Sequence, residues 1–212
     1  MSIAKVAKRG RPIDTAKRDA IVAAASRAFF EHGFAAASIE QIAAEAGVSK
    51  VTIYSHFGDK RGLFTAAVEC ECGRMRSHFS IDAGCTGTLR EHLMTIGEAM
   101  VAFLSRPEMI QFDRRIAAET ESEPEVGEAF LSAGPRRMIE AFSRFLRAMS
   151  EAGEVEIKDC ELAAEQFASM CKGMGDLERR YGQPTDPQRD KERIAGAVDV
   201  FCAAYASKAQ KS

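Results

Sequence analysis

Apolar residues recur at i, i+3, i+4 and i+7 along almost the whole 212-residue chain, and no stretch sustains the apolar–polar alternation of a half-buried strand. That periodicity restricts the chain to all-helical folds. Ile21, Ala24, Ala25, Ala28 and Phe29 mark a first helix, which Asp14 or Thr15 can cap and Gly33 ends. A short helix follows, with Ser38 and Gln41 at capping-box spacing. Gly47-Val48-Ser49 then leads to a second short helix reaching about Phe57, and Asp59 can cap a fourth that runs toward Cys70. Residues 80–87 read as a loop and a boundary. Beyond it the spacing predicts helices over 88–104, from Pro107, over 135–151 with Gly153 as terminator, over 159–180 and over 187–207. Pro124 and Pro135 each suit a first helical turn or a kink.

The most informative stretch is SIEQIAAEAGVSKVTIYSHFGDKRGLF, residues 38–64. Two short helices joined by a turn at a glycine make a helix-turn-helix. Ala43 and Ala46 are small enough for close packing, and Ile42, Val48, Ile53 and Phe57 can seat the pair on the first helix. The other face of the second short helix carries Ser49, Lys50, Thr52, Tyr54, Ser55 and His56. Hydrogen-bonding groups with one strong cation are what a helix entering the major groove needs. Charge points the same way. The net charge is −2, but residues 1–64 carry ten Lys/Arg against six Asp/Glu and residues 65–212 nineteen against twenty-five. A basic head on an acidic body turns only the head toward phosphate.

The pattern G-F-x-x-x-S-I-x-x-I-A-x-x-A-G-V-S-x-x-T-I-Y-x-H-F followed by D-K-R-x-L-F, residues 33–64, resembles the tetracycline-repressor (TetR) family of regulators. The resemblance implies an all-α fold: a three-helix DNA-binding head over 14–65 and a helical effector-binding and dimerising body over 66–212. Thr52, Tyr54, His56 and Lys60 stand at positions that usually touch DNA in that family. Val51 stands where Gly, Ala or Pro is common and Ser55 where a larger aromatic is, departures that bear on the operator and not on the fold. Resemblance and chemistry together make Lys50 and Thr52 the base readers, with Ser49 and Ser55 beside them, and Tyr54 a partner for a thymine methyl. Ser38, His56 and Lys60 are expected on phosphates, although Ser38 also serves as a plain helix cap. The arm over 1–13 carries Arg9 and Arg11, which either enter an A·T-rich minor groove or belong to a solubilising tail.

Residues 112–146 (FDRRIAAETESEPEVGEAFLSAGPRRMIEAFSRFL) and 161–173 (ELAAEQFASMCKG) are similar to the AefR-like C-terminal class, which implies a ligand-binding helical domain. Met100, Phe103, Ile110, Arg114, Phe142, Phe167 and Met170 are the candidate pocket lining, drawn from a Met- and Phe-rich body most of which is core. Arg114 either meets an anionic effector or pairs with a surface acid. Ala164, Ala168, Cys171, Val198, Phe201, Cys202 and Tyr205 lie on small-residue stripes of the last two helices and are the candidate dimer interface.

The reading is a cytoplasmic homodimeric repressor that binds a palindromic operator in double-stranded DNA and is released by a small, largely apolar effector. The N-terminus lacks the apolar core of a secretory signal, and no apolar run reaches membrane-spanning length. No cofactor and no metal is expected. One alternative is a redox- or metal-responsive regulator using Cys70 and Cys72, although one helix splays that pair apart. Another is a DNA-bound scaffold without a small-molecule ligand. No phosphate-cradling glycine loop, nucleophile elbow or metalloprotease helix suggests an enzyme.

Overall fold

The computed structural model describes residues 15–76 and 87–207. Asp14, Arg9, Arg11 and the rest of the arm lie outside them. Among the described residues there are ten helices and no strand, with a single bridge between Val155 and Ala206. The all-α expectation holds.

Local sequence sets the helix ends. α1 (Thr15–Ala36) leaves helical geometry at Gly33, whose φ of 84° and ψ of −178° no side-chain-bearing residue adopts readily, and closes with a further turn to Ala36. Ser38 accepts the Gln41 N–H at the start of α2 (Ile39–Glu45), and Ser49 the Thr52 N–H at the start of α3 (Lys50–Phe57). Between them Gly47 takes φ +66°, which lets the Val48 N–H return to the Ala43 carbonyl and reverses the chain. Asp59 accepts the Gly62 N–H ahead of α4 (Lys60–Arg76). A reciprocal Thr88–Glu91 box opens α5 (Leu89–Leu104). Proline begins α6 (Pro107–Glu119), α7 (Pro124–Ala133) and α8 (Pro135–Glu151). Asp159 and Asp186 cap α9 (Cys160–Arg180) and α10 (Pro187–Tyr205). α9 carries a kink at Gly173 that helical spacing does not announce.

The apolar faces close two cores, and these do not divide at residue 65. The first joins Ile21, Phe29, Ile42, Ile53, Leu63 and Phe64 of the head to Phe112 and Ile116 of α6 and Val126 of α7. The second is built by α5, α8, α9 and α10 around Leu93, Phe142, Leu146, Phe167, Val198 and Phe201. Phe30 stacks on Phe112 at 4.1 Å between centroids, so a body helix seals the head.

α6 also takes up backbone groups that the break at Gly33 leaves open. Arg115 donates to the Phe30 carbonyl at 3.0 Å, and one carboxylate oxygen of Glu119 accepts the N–H groups of Phe34 and Ala35 at 3.0 and 3.1 Å. Lys60 donates to the Ala35 carbonyl at 3.0 Å. The break in α1 is thus held by a cation and an anion of the body and a cation of the head.

Candidate DNA interface and body cavities

α3 is anchored on one side only. Ile53 is fully buried beneath it, while Lys50, Val51, Tyr54 and Ser55 are exposed and Thr52 and His56 half-buried. The exposed edge combines a cation, a phenol, a hydroxyl and, at Val51, an apolar side chain 76% exposed. In the sequence Val51 stands out only as a departure from a pattern; its exposure adds it to Tyr54 as a surface for thymine methyls. The hydroxyls of Ser49 and Thr52 lie 2.9 Å apart, and Ser55 donates to the Thr52 carbonyl at 2.8 Å. Ser49 and Ser38 serve first as caps. His56 lies beside Phe57, with ring centroids 6.1 Å apart.

Two of the expected DNA contacts are already engaged. Lys50 Nζ lies 2.5 Å from Glu40 Oε1, across the turn on α2. That hydrogen-bonded pair holds the Glu40 carboxyl below its ordinary range and raises the Lys50 ammonium. Glu40 escapes a reading of the sequence because its partner is ten residues away and on another helix. Lys60 is half-buried over the Phe34 ring, 4.9 Å from its centroid, and burial pushes its ammonium down against the opposing charges of Glu119, Glu123 and Glu40. Lys60 therefore secures the end of α1 as well as facing outward.

Of the seven candidate pocket residues, four gather at the second core and three lie apart from it. Phe142 and Phe167 are buried against each other with centroids 5.4 Å apart. Met100 and Met170 flank the second core, while Phe103 packs on the first beneath the Arg106 guanidinium. Among the described residues Arg114 forms no ion pair with an acid; it donates to the Arg179 carbonyl at 2.5 Å. Ile110 lines a cleft of about 50 Å³, shared with Leu104, Met109, Asp113, Phe130, Asp176, Arg179 and Arg180. Burial raises the Asp113 carboxyl there, against the pull of Arg180. Wider grooves of about 540 to 680 Å³ lie on the surface, including one between α1 and α6 and one over the start of α10.

Of the candidate dimer residues, Ala164, Cys171, Val198 and Phe201 lie inside the chain's own second core. Burial pushes the Cys171 thiol up to about 12, leaving it unreactive at neutral pH. Ala168, Cys202 and Tyr205 are half-buried, and the Tyr205 hydroxyl lies 3.0 Å from Gln166 Oε1. The outer faces of the same helices expose other apolar side chains: Leu162, Met174 and Leu177 on α9, Tyr181 at its C-cap and Val200 on α10. On α4, Cys72 is buried in the first core and Cys70 is half-exposed. Among the described residues no three His, Cys, Asp or Glu side chains are placed to share a metal ion, and no helix is long and apolar enough to cross a membrane.

The model of the tetR family of bacterial regulatory proteins matches residues 21–67. The model of the AefR-like transcriptional repressor C-terminal domain matches residues 91–207. The HTH-type transcriptional repressor AcnR of Corynebacterium efficiens is 36% identical over 70 residues, which cover 33% of this chain and 36% of AcnR. The chain thus spans about a third of the length of the curated relatives it first matches. A TetR-family regulator of known structure from Mesorhizobium loti MAFF303099 is 24% identical with a TM-score of 0.75, over 92% of this chain and all of that one, and shows the fold. The structure of the flavonoid-responsive regulator FrrA is 28% identical with a TM-score of 0.70, over 91% of this chain and 98% of that one.

Proposed function

The chain belongs to the tetR family of bacterial regulatory proteins, with an AefR-like C-terminal domain, and on that premise we propose that it is a cytoplasmic homodimeric repressor released from a palindromic operator by a small effector. The observation that carries the DNA reading is α3 itself, locked into the core through Ile53 and presenting Lys50, Val51, Tyr54 and Ser55 outward. Lys50 and Thr52 read base edges, Val51 and Tyr54 meet thymine methyls, and Ser38, His56 and Lys60 track phosphates. The family is one of regulators, not enzymes.

Dimerisation is supported by the apolar side chains that α9 and α10 leave exposed. Two such helices from each protomer make a four-helix seam and set two recognition helices one DNA turn apart, about 34–36 Å. Release is supported by the grip of α6 on α1: an effector that shifts α6 moves Arg115 and Glu119 and tilts the head. Effector and operator then weaken each other by the same factor. That FrrA is named flavonoid-responsive supports a search among aromatic, oxygen-bearing effectors. A second reading, a DNA-bound scaffold answering to a protein partner, draws on the packing of four candidate lining side chains in or against the second core. It predicts that no small molecule releases DNA.

The test is selection of binding sites from random duplexes. Enrichment of a palindrome, with its preference lost in Lys50→Ala or Thr52→Ala, is the expected result. Salt-sensitive binding without any enriched sequence would overturn operator reading.

A further inference from the structure

The strongest unexplained feature of the body is Arg179. Its side chain is 5% exposed, in the last turn of α9, and only one edge of its guanidinium is used. Nη1 donates to Asp190 Oδ2 at 2.9 Å, while Nε and Nη2 are buried and meet no acceptor among the described residues. Those two nitrogens form one edge of the guanidinium, whose parallel N–H groups match the two oxygens of a carboxylate. Burying a guanidinium is costly, and leaving its donors unmatched adds to the cost.

The surroundings hold Arg179 in place. Asp190 also binds Arg193, and both pack against the α9 kink. A Cβ at Gly173 would lie 2.6 Å from Arg193 Cδ, and one at Gly175 2.8 Å from Asp190 Oδ1. Gly173 and Gly175 make the room in which this charge cluster is buried. Arg179 is also one of the residues around the 50 Å³ cleft, whose walls are Leu104, Met109, Ile110 and Phe130 and whose charged rim is Arg180 with Asp113 and Asp176; its unmatched edge is sealed from solvent while the cleft is closed. Space of that size takes a carboxylate and not a ring.

We propose that this cleft is the head-group subsite of the effector, in which the free Arg179 edge binds the carboxylate of a small molecule with an apolar or aromatic body. The inference rests on the effector-regulated reading above. Seating the body requires α6 and α7 to part from α9. Met109, Ile110 and Asp113 line the cleft, while Phe112, Arg115 and Glu119, about a third of a turn around α6, hold α1. A ligand body that wedges the cleft open behind its carboxylate therefore displaces the helix that grips the head.

The probe is 3-phenylpropionate, with its methyl ester as the uncharged control, followed by thermal shift and calorimetry on the full chain. The acid should raise the melting temperature of the wild type and the ester should not. Arg179→Met should weaken acid binding roughly tenfold or more, while it also removes the Nη1 bond to Asp190 and so lowers the unliganded melting temperature. Ile110→Trp, which fills the cleft and leaves every charge in place, should lose the acid as well, and decides the matter if Arg179→Met does not fold. Equal shifts by acid and ester, no shift by either, or acid binding retained in Arg179→Met or Ile110→Trp would overturn the subsite. Binding of the selected duplex without probe is measured alongside: its absence in the wild type defeats the regulator reading alone.

Discussion

At the scale of single residues, the DNA-facing edge is poised and not free. Lys50 carries the strongest charge on α3, yet Glu40 holds it before DNA arrives. The pair is exposed, so its strength is modest and screened by salt. Contact with a guanine or a phosphate requires Lys50 to exchange one anion for another, with the Glu40 carboxylate left near the phosphates. Glu40→Gln should therefore tighten binding to duplexes of any sequence a few-fold at low salt, with the gain shrinking as salt rises. Anisotropy titrations across a salt series measure both quantities. An unchanged affinity would mean that Lys50 stays with Glu40 on DNA. The candidates on α3 are legible in the sequence because a recognition helix shows itself by polar residues on the face opposite its apolar ones. Glu40 is not, since an ion pair across a turn follows from how two helices cross.

At the scale of elements, α6 is the piece that belongs to both halves. Its Phe112 and Ile116 complete the head's core, and its Arg115 and Glu119 satisfy the broken turn of α1. Gly33 makes the arrangement possible: its φ is positive, and a Cβ there would collide with Glu119 Oε1. Glu119→Ala leaves the N–H groups of Phe34 and Ala35 to solvent or to nothing, and should destabilise the fold by about 1–3 kcal/mol, read by denaturant unfolding. The more telling readout is coupling. In Glu119→Ala the operator should still bind, but effector-driven release should be blunted, because one link between α6 and α1 is gone. Undiminished release would place the transmission elsewhere, for instance through α4. The residue type alone marks Gly33 as a helix end; nothing in the spacing shows that a body helix closes that end.

At the scale of the molecule, the second core uses up the side chains that helical spacing assigns to a partner. Ala164, Cys171, Val198 and Phe201 face inward, and the surface of α9 and α10 falls to Leu162, Met174, Leu177, Tyr181 and Val200. On the dimer reading, Val200→Glu buries a charge at the seam. It should shift the protein toward monomer in sedimentation runs and cost palindrome affinity steeply while sparing the helical content. A variant that sediments like the wild type would take α10 out of the interface.

Helix positions, caps and the helix-turn-helix were determined by the sequence alone, because each depends on residues within a turn or two of one another. Ser38, Ser49, Asp59, Thr88, Asp159 and Asp186 cap where they stand, and Pro107, Pro124, Pro135 and Pro187 begin helices. An amphipathic helix, however, announces only that it has an apolar face and not what covers it. Whether Phe167 lines a pocket or fills a core, whether Val198 meets its own chain or a second copy, and which edge of Arg179 is left unmatched depend on how ten helices share two cores. Those outcomes involve partners on different helices, far apart along the chain, and only the tertiary structure decided them.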